Sequence, residues 1–288
     1  MFREGQHGCP VNCAYCVITE VVKRREAWNE RTLLGINKAV TILNPPPARD
    51  PAALKEFYDF PVELLRGDIV GLNAISDPFW PKFANELEWF LSHVSPVAKL
   101  ITCVTKWNVS DRVLDRLAEI PNFRLIVSMT GLDALEKTTT EMRLSVLQRA
   151  KARGIAAFPI VHPYIPEMSD LSFLPALKDM GYDEVDIKGL RYNPYTMNAW
   201  MPESVQKHFV DSGEDEVLVD DGWSEKVAGA GLTKVGLKRW YRKGFDTLTP
   251  HLSREEAADL VGQIIARANI TSSDTDEAVV REAIERRL

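Results

Sequence analysis

Four cysteines in 288 residues are too few to staple a chain of this length, and in a reducing compartment they would not form a disulfide framework. No run of eighteen or more apolar residues occurs, which excludes a spanning helix, so no membrane partner is expected. The first twenty residues carry charges and cysteines where a secretory signal would carry an apolar core, so the chain reads as cytoplasmic. Positive charge is also short. Lys and Arg number 35 against 41 Asp and Glu, a net charge of −6, so any attraction to nucleic acid must come from a local patch. There is no internal repeat. With 45% apolar residues, the chain has enough sequence to bury a sizeable core.

What is present is a rhythm of short apolar runs and helical patterns. Strands are expected around 2–4, at Asp68–Ser76, Leu100–Lys106, Phe123–Thr130, Gly154–His162 and Glu184–Leu190. They are rich in Val, Ile and Leu without strict alternation, as parallel strands covered on both faces should be. Helices are expected at Pro81–Val94, Asp111–Glu119, Thr140–Arg153 and Leu171–Met180, with Ser110 as an N-cap and Gly154 and Gly181 as stops. Six βα units predict an α/β parallel sheet, either a partial barrel or a doubly wound sheet, with the site at the carboxyl ends of the strands. The stretch ILNPPPARDP, 42–51, reads as a surface excursion. Past about residue 200 the rhythm fails. The expected division is a domain at 1–198 and an extension at 199–288, mixed and then mainly helical, with a capping box at Ser253–Glu256 and a last helix from about Asp274.

The cysteines are unevenly placed. Cys9, Cys13 and Cys16 lie within GCPVNCAYC, and Cys103 stands alone. A buried structural cluster fits poorly with the turn-forming Pro10 and Asn12. A zinc site made of His7 and the three cysteines would be a closed Cys3His set; a zinc-stapled binding protein without catalysis is the corresponding non-enzyme reading. A [4Fe-4S] cluster normally takes four thiolates, so three would leave one iron open to a substrate or cofactor.

The C-x3-C-x2-C loop, with aromatic Tyr15 directly before the third cysteine, resembles that of the radical S-adenosylmethionine (SAM) enzymes. The stretches NAISDPFWP, LITCVTKWNVSD, FRLIVSMT and GIAAFPIVHPYIPEMSD resemble the strand ends of the spore photoproduct lyase branch, over roughly residues 5 to 195. The resemblance implies a partial (β/α)6 TIM-type barrel, a [4Fe-4S] cluster on Cys9, Cys13 and Cys16, and SAM chelated by the open iron. It implies reductive cleavage of SAM to a 5′-deoxyadenosyl radical that takes hydrogen from a substrate carbon, with a one-electron reductant such as flavodoxin or ferredoxin as partner.

Carried over to this chain, the resemblance puts Tyr15 beside the cluster and Asn73, Ser76 and Asp77 at the methionine end of SAM. It puts Lys106 and Ser128 near SAM and His162 and Tyr164 at the pocket mouth. The hydrogen-donor cysteine of the lyases is absent, because this chain has Ala74 there, which leaves Cys103 as the one thiol available for the role. The substrate implied by the branch is a pyrimidine base in DNA. A stretch within 232–245 would serve as its docking surface, with Lys234, Lys238, Arg239, Arg242 and Lys243 among Trp240, Tyr241 and Phe245. The alternative is an epimerase, mutase or dehydrogenase acting on a small molecule or peptide.

Overall fold

The computed structural model describes residues 9–16, 34–36, 40–45, 51–72, 76–210, 212 and 216–241. The strand expected at 2–4, His7, Asn73, Ala74, Arg242, Lys243, Phe245 and both helices expected beyond residue 250 lie outside these residues.

Among the described residues eight strands form one sheet in the order of the chain: β1 Leu34–Ile36, β2 Thr41–Leu43, β3 Ile69–Leu72, β4 Leu100–Thr105, β5 Phe123–Ser128, β6 Ala157–Tyr164, β7 Glu184–Gly189 and β8 Thr233–Lys234. Only β1 pairs antiparallel, with β2; every later pair is parallel. A doubly wound sheet would reverse its strand order at a switch point. Here each strand neighbours its successor, so right-handed crossovers carry the helices to one face and the sheet curls as a partial α/β barrel of TIM type.

The helices are α1 Pro51–Tyr58, α2 Ala84–His93, α3 Asp111–Ala118, α4 Thr140–Ala152, α5 Leu174–Asp179, α6 Pro194–Met197, α7 Glu203–Val210, α8 Trp223–Gly229 and α9 Leu237–Tyr241. Gly154 and Gly181 follow α4 and α5 at φ 72° and 78°, the left-handed positions that end a helix most cheaply in glycine. Ser110 stands before α3 in an extended conformation, but its side chain makes no capping bond. Thr139 does cap α4, accepting from the Met142 amide at 3.2 Å.

Strand alternation sorts the side chains into two layers. Ile101 and Cys103 of β4 and Leu125 and Val127 of β5 share a core with Phe90 and Leu91 of α2, Leu114 of α3 and Leu147 of α4. The opposite faces of β3 to β6 turn Ile69, Leu100, Ile126, Phe158 and Ile160 toward the barrel axis, where Leu237 and Trp240 of α9 pack on them. Trp240 stacks on Phe158 at 4.5 Å between ring centroids and 15° between planes. The N-terminal end of the barrel is thereby filled. Asp186 of β7, 2% exposed, holds α9 in place by accepting the Leu237 amide at 2.9 Å. The strand rhythm thus has one parallel member past residue 200, β8, reached through α8.

Candidate functional site

The cysteine loop lies over the strands' carboxyl ends. Asn12 takes φ 48°, a left-handed conformation that asparagine tolerates, and the Cys16 amide donates to the Cys13 carbonyl at 3.2 Å, closing a turn. Two backbone bonds dock this turn on the segment after β5: Ala14 N–H to the Leu135 carbonyl at 3.0 Å, and Lys137 N–H to the Val11 carbonyl at 3.1 Å. Val11, 2% exposed, anchors the loop underneath.

The three thiols are electrostatic neighbours. Burial pushes the Cys9 thiol up, against backbone N–H groups of Val11 and Asp77 that favour its thiolate, and the Cys16 thiol adds a smaller upward push. Burial pushes Cys13 further up, opposed chiefly by the Lys106 ammonium. Among the described residues no three His, Cys, Asp or Glu side chains converge on one ion. A soft, all-thiol donor set in one loop suits the irons of an iron–sulfur cluster; His7, the fourth ligand of the zinc reading, lies outside the described residues.

Lys106 follows β4 and turns inward. Its Nζ donates to the His162 carbonyl at 3.1 Å, lies 3.8 Å from the Glu136 carboxylate and sits 5.3 Å from the centroid of the Tyr15 ring. Burial lowers its pKa, and the three thiols oppose that shift. Ser128, at the end of β5, donates to the same His162 carbonyl at 2.9 Å. Lys106, Ser128 and His162 therefore meet at one point, with the His162 carbonyl as the shared acceptor. The His162 ring is driven to a pKa of about 3, first by burial and then by Lys106, Lys188 and Arg191. Val104, one residue pair below Lys106 on the same face, is 45% exposed, so the barrel axis is open at this level.

Other expected residues have different places. The Asp77 carboxylate is wholly committed within the chain, accepting from Thr105 Oγ1 at 2.8 Å, the Lys106 and Trp107 amides at 2.8 and 3.1 Å, and the Phe79 amide at 3.1 Å. It ties the end of β3 to the end of β4, and its own backbone N–H faces Cys9. These bonds make it a strap between the two strand ends, where the resemblance puts the methionine end of SAM. Ser76 is 9% exposed at the same turn, and Asn73 is outside the described residues. Cys103 is 1% exposed in the strand–helix layer, where burial pushes its thiol up to about 12. Alternation puts it on the face opposite Lys106, among the core residues of that layer. Tyr164 lies in the same layer. A bulge between Val161 and Tyr164 shifts the register of β6, and Tyr164 is 1% exposed in the strand–helix core with its hydroxyl donating to Asp221.

One residue escaped the sequence reading. Glu136 follows the turn after β5, its side chain fully buried. It accepts from Tyr15, from Thr130 at 2.9 Å and from Arg143, and it lies 3.9 Å from the Cys13 sulfur. A lone glutamate between Leu135 and Lys137 reads as a solvated loop residue, and nothing local marks it otherwise.

No protein-family model matches the chain, and no curated protein matches it. Among solved structures, a spore photoproduct lyase complexed with dinucleoside spore photoproduct is 12% identical, covering 85% of this chain and 77% of that one at a TM-score of 0.46. SuiB of Streptococcus suis is 9% identical, covering 86% of this chain and 52% of that one at 0.47. Methylornithine synthase (PylB) is 13% identical, covering 94% and 67% at 0.38. These are likenesses in the course of the chain, and the residues of the cysteine loop carry the functional reading.

Proposed function

We propose that the chain is a radical SAM enzyme. The observation that supports this reading most is the cysteine loop docked on the 135–137 backbone beside Lys106, at the carboxyl end of a parallel barrel. Cys9, Cys13 and Cys16 would hold the cluster. A [4Fe-4S] centre with SAM supplies one-electron cleavage of a sulfonium and removal of hydrogen from an unactivated carbon. The protein's part is positional: Lys106 and Ser128 rigidify the β6 end through the His162 carbonyl, and the Lys106 ammonium would be available to pair with a carboxylate of the cofactor.

Anaerobic reconstitution tests the reading. About four irons per chain and a brown protein absorbing near ~400 nm are expected, with 5′-deoxyadenosine released on reduction in the presence of SAM. Replacing Cys13 by Ala should abolish both. A colourless protein that binds one zinc per chain and no iron would overturn the reading.

For the substrate, a pyrimidine base in DNA is the reading the sequence resemblance supports. One observation favours the small-molecule alternative instead: Trp240, the first ring of the basic segment, stacks on Phe158 toward the barrel axis and so has one face already covered. Binding to thymine-containing oligonucleotides at two salt concentrations separates the two. Affinity that falls steeply with salt supports DNA, and no binding at low salt supports the small molecule.

A further inference from the structure

A carboxylate taken wholly out of water is costly unless it is paired and hydrogen-bonded. Glu136 and Arg143 both have fully buried side chains and bond to each other. Arg143 is itself held by Asp133 at 3.2 Å and by the Thr139 carbonyl at 3.2 Å. A pair needed only to stabilise the β5–α4 connection would be complete with these groups and Thr130. Glu136 goes further. It accepts the Tyr15 hydroxyl from the cysteine loop, lies 3.9 Å from Cys13 Sγ, and lies 3.8 Å from the Nζ of Lys106, which itself sits over the Tyr15 ring. Its neighbours in sequence, Leu135 and Lys137, make the two backbone bonds that dock the loop. One residue therefore joins the loop, β4 and α4.

We propose that Glu136 is the positioning residue of the cysteine loop: braced by Arg143, it fixes the loop through Tyr15 and sets the charge beside the group that the thiols hold. The second half of this statement rests on the cluster reading above; the first half does not. Through its bond to Tyr15 the carboxylate keeps Ala14 against Leu135, and by its charge it holds Lys106 between the loop and the His162 carbonyl.

Two measurements on Glu136→Gln and Tyr15→Phe test the proposal. The first is hydrogen exchange at the Ala14 and Lys137 amides in cluster-free full-length protein. Exchange about tenfold faster than in wild type is expected for both variants, while the amides of β4 and β5 are unchanged. Wild-type protection in both variants would overturn the proposal, whatever the protein binds. The second is the midpoint potential of the reconstituted protein. Burial raises the Glu136 carboxyl to about 7, so the potentials are compared at a pH well above that value; there Glu136→Gln removes a negative charge beside the thiols, and the reduction equilibrium should shift about tenfold toward the reduced form, about 59 mV for a one-electron couple. Tyr15→Phe keeps that charge and should shift it far less. Equal potentials in wild type and Glu136→Gln would overturn the charge role. Should Glu136→Gln fail to fold, Tyr15→Phe retains the Glu136–Arg143 pair and still decides the exchange arm. If wild type takes up no iron, the cluster reading fails and the exchange arm still decides the role of Glu136 in the loop.

Discussion

The polar residues at the strand ends divide by which way the pleat turns them. Tyr164 bonds to Asp221, and Asp221 in turn accepts the Glu167 amide at 3.3 Å, so the tyrosine braces the segment before α8. Tyr164→Phe should cost about 1–2 kcal/mol in a urea melt by losing that bond and should leave iron content unchanged. A fall in iron content with wild-type stability would return Tyr164 to the site. His162 behaves differently. Its folded pKa is near 3 against an ordinary 6.5, so the unfolded chain takes up a proton that the folded one refuses. The contribution of this ring to stability is full above about pH 6.5 and is lost as pH falls from there toward 3. Melting temperature should therefore decline over that range, and His162→Gln should flatten the decline. An unchanged slope would show that the ring titrates normally.

At the scale of elements, the long helices and the five central strands were legible because each spans enough residues to show its periodicity, and their observed ends fall within a few residues of those expected. β1, β2 and β8 are two or three residues long. Nothing in so short a run distinguishes strand from loop; partners in the sheet decide it. β7 shows how such a partner is admitted. A Cβ on Gly189 would stand 1.8 Å from the Val217 carbonyl oxygen, because the next residue, Leu190, exchanges backbone bonds with Val217 at 3.2 and 3.1 Å. Gly189→Ala should therefore lower stability by more than about 2 kcal/mol, by forcing this bridge apart. Wild-type melting of that variant would show that the bridge yields without cost.

At the scale of the whole molecule, the barrel is closed at its N-terminal end by α9 and open at the end that carries the cysteine loop. Trp240→Ala removes a half-buried ring from the axis and should cost about 2 kcal/mol, below the 3–5 of a fully buried one, with no change in oligonucleotide affinity. A loss of affinity at unchanged stability would mean that the ring serves a ligand after all. What the sequence by itself determined was local: three thiols within eight residues, a lysine and a serine ending consecutive strands, and a βα rhythm. Covalent spacing and period suffice for such features. What only the tertiary structure decided was direction and company. Cys103 lies on β4 and Lys106 just past its end, and they face opposite layers; Asp77 is taken up by the turn it ties; and Glu136 reaches the cysteine loop from more than a hundred residues along the chain. Those outcomes depend on which backbone groups are left to be satisfied once the strands are side by side, and that is a property of the packed sheet.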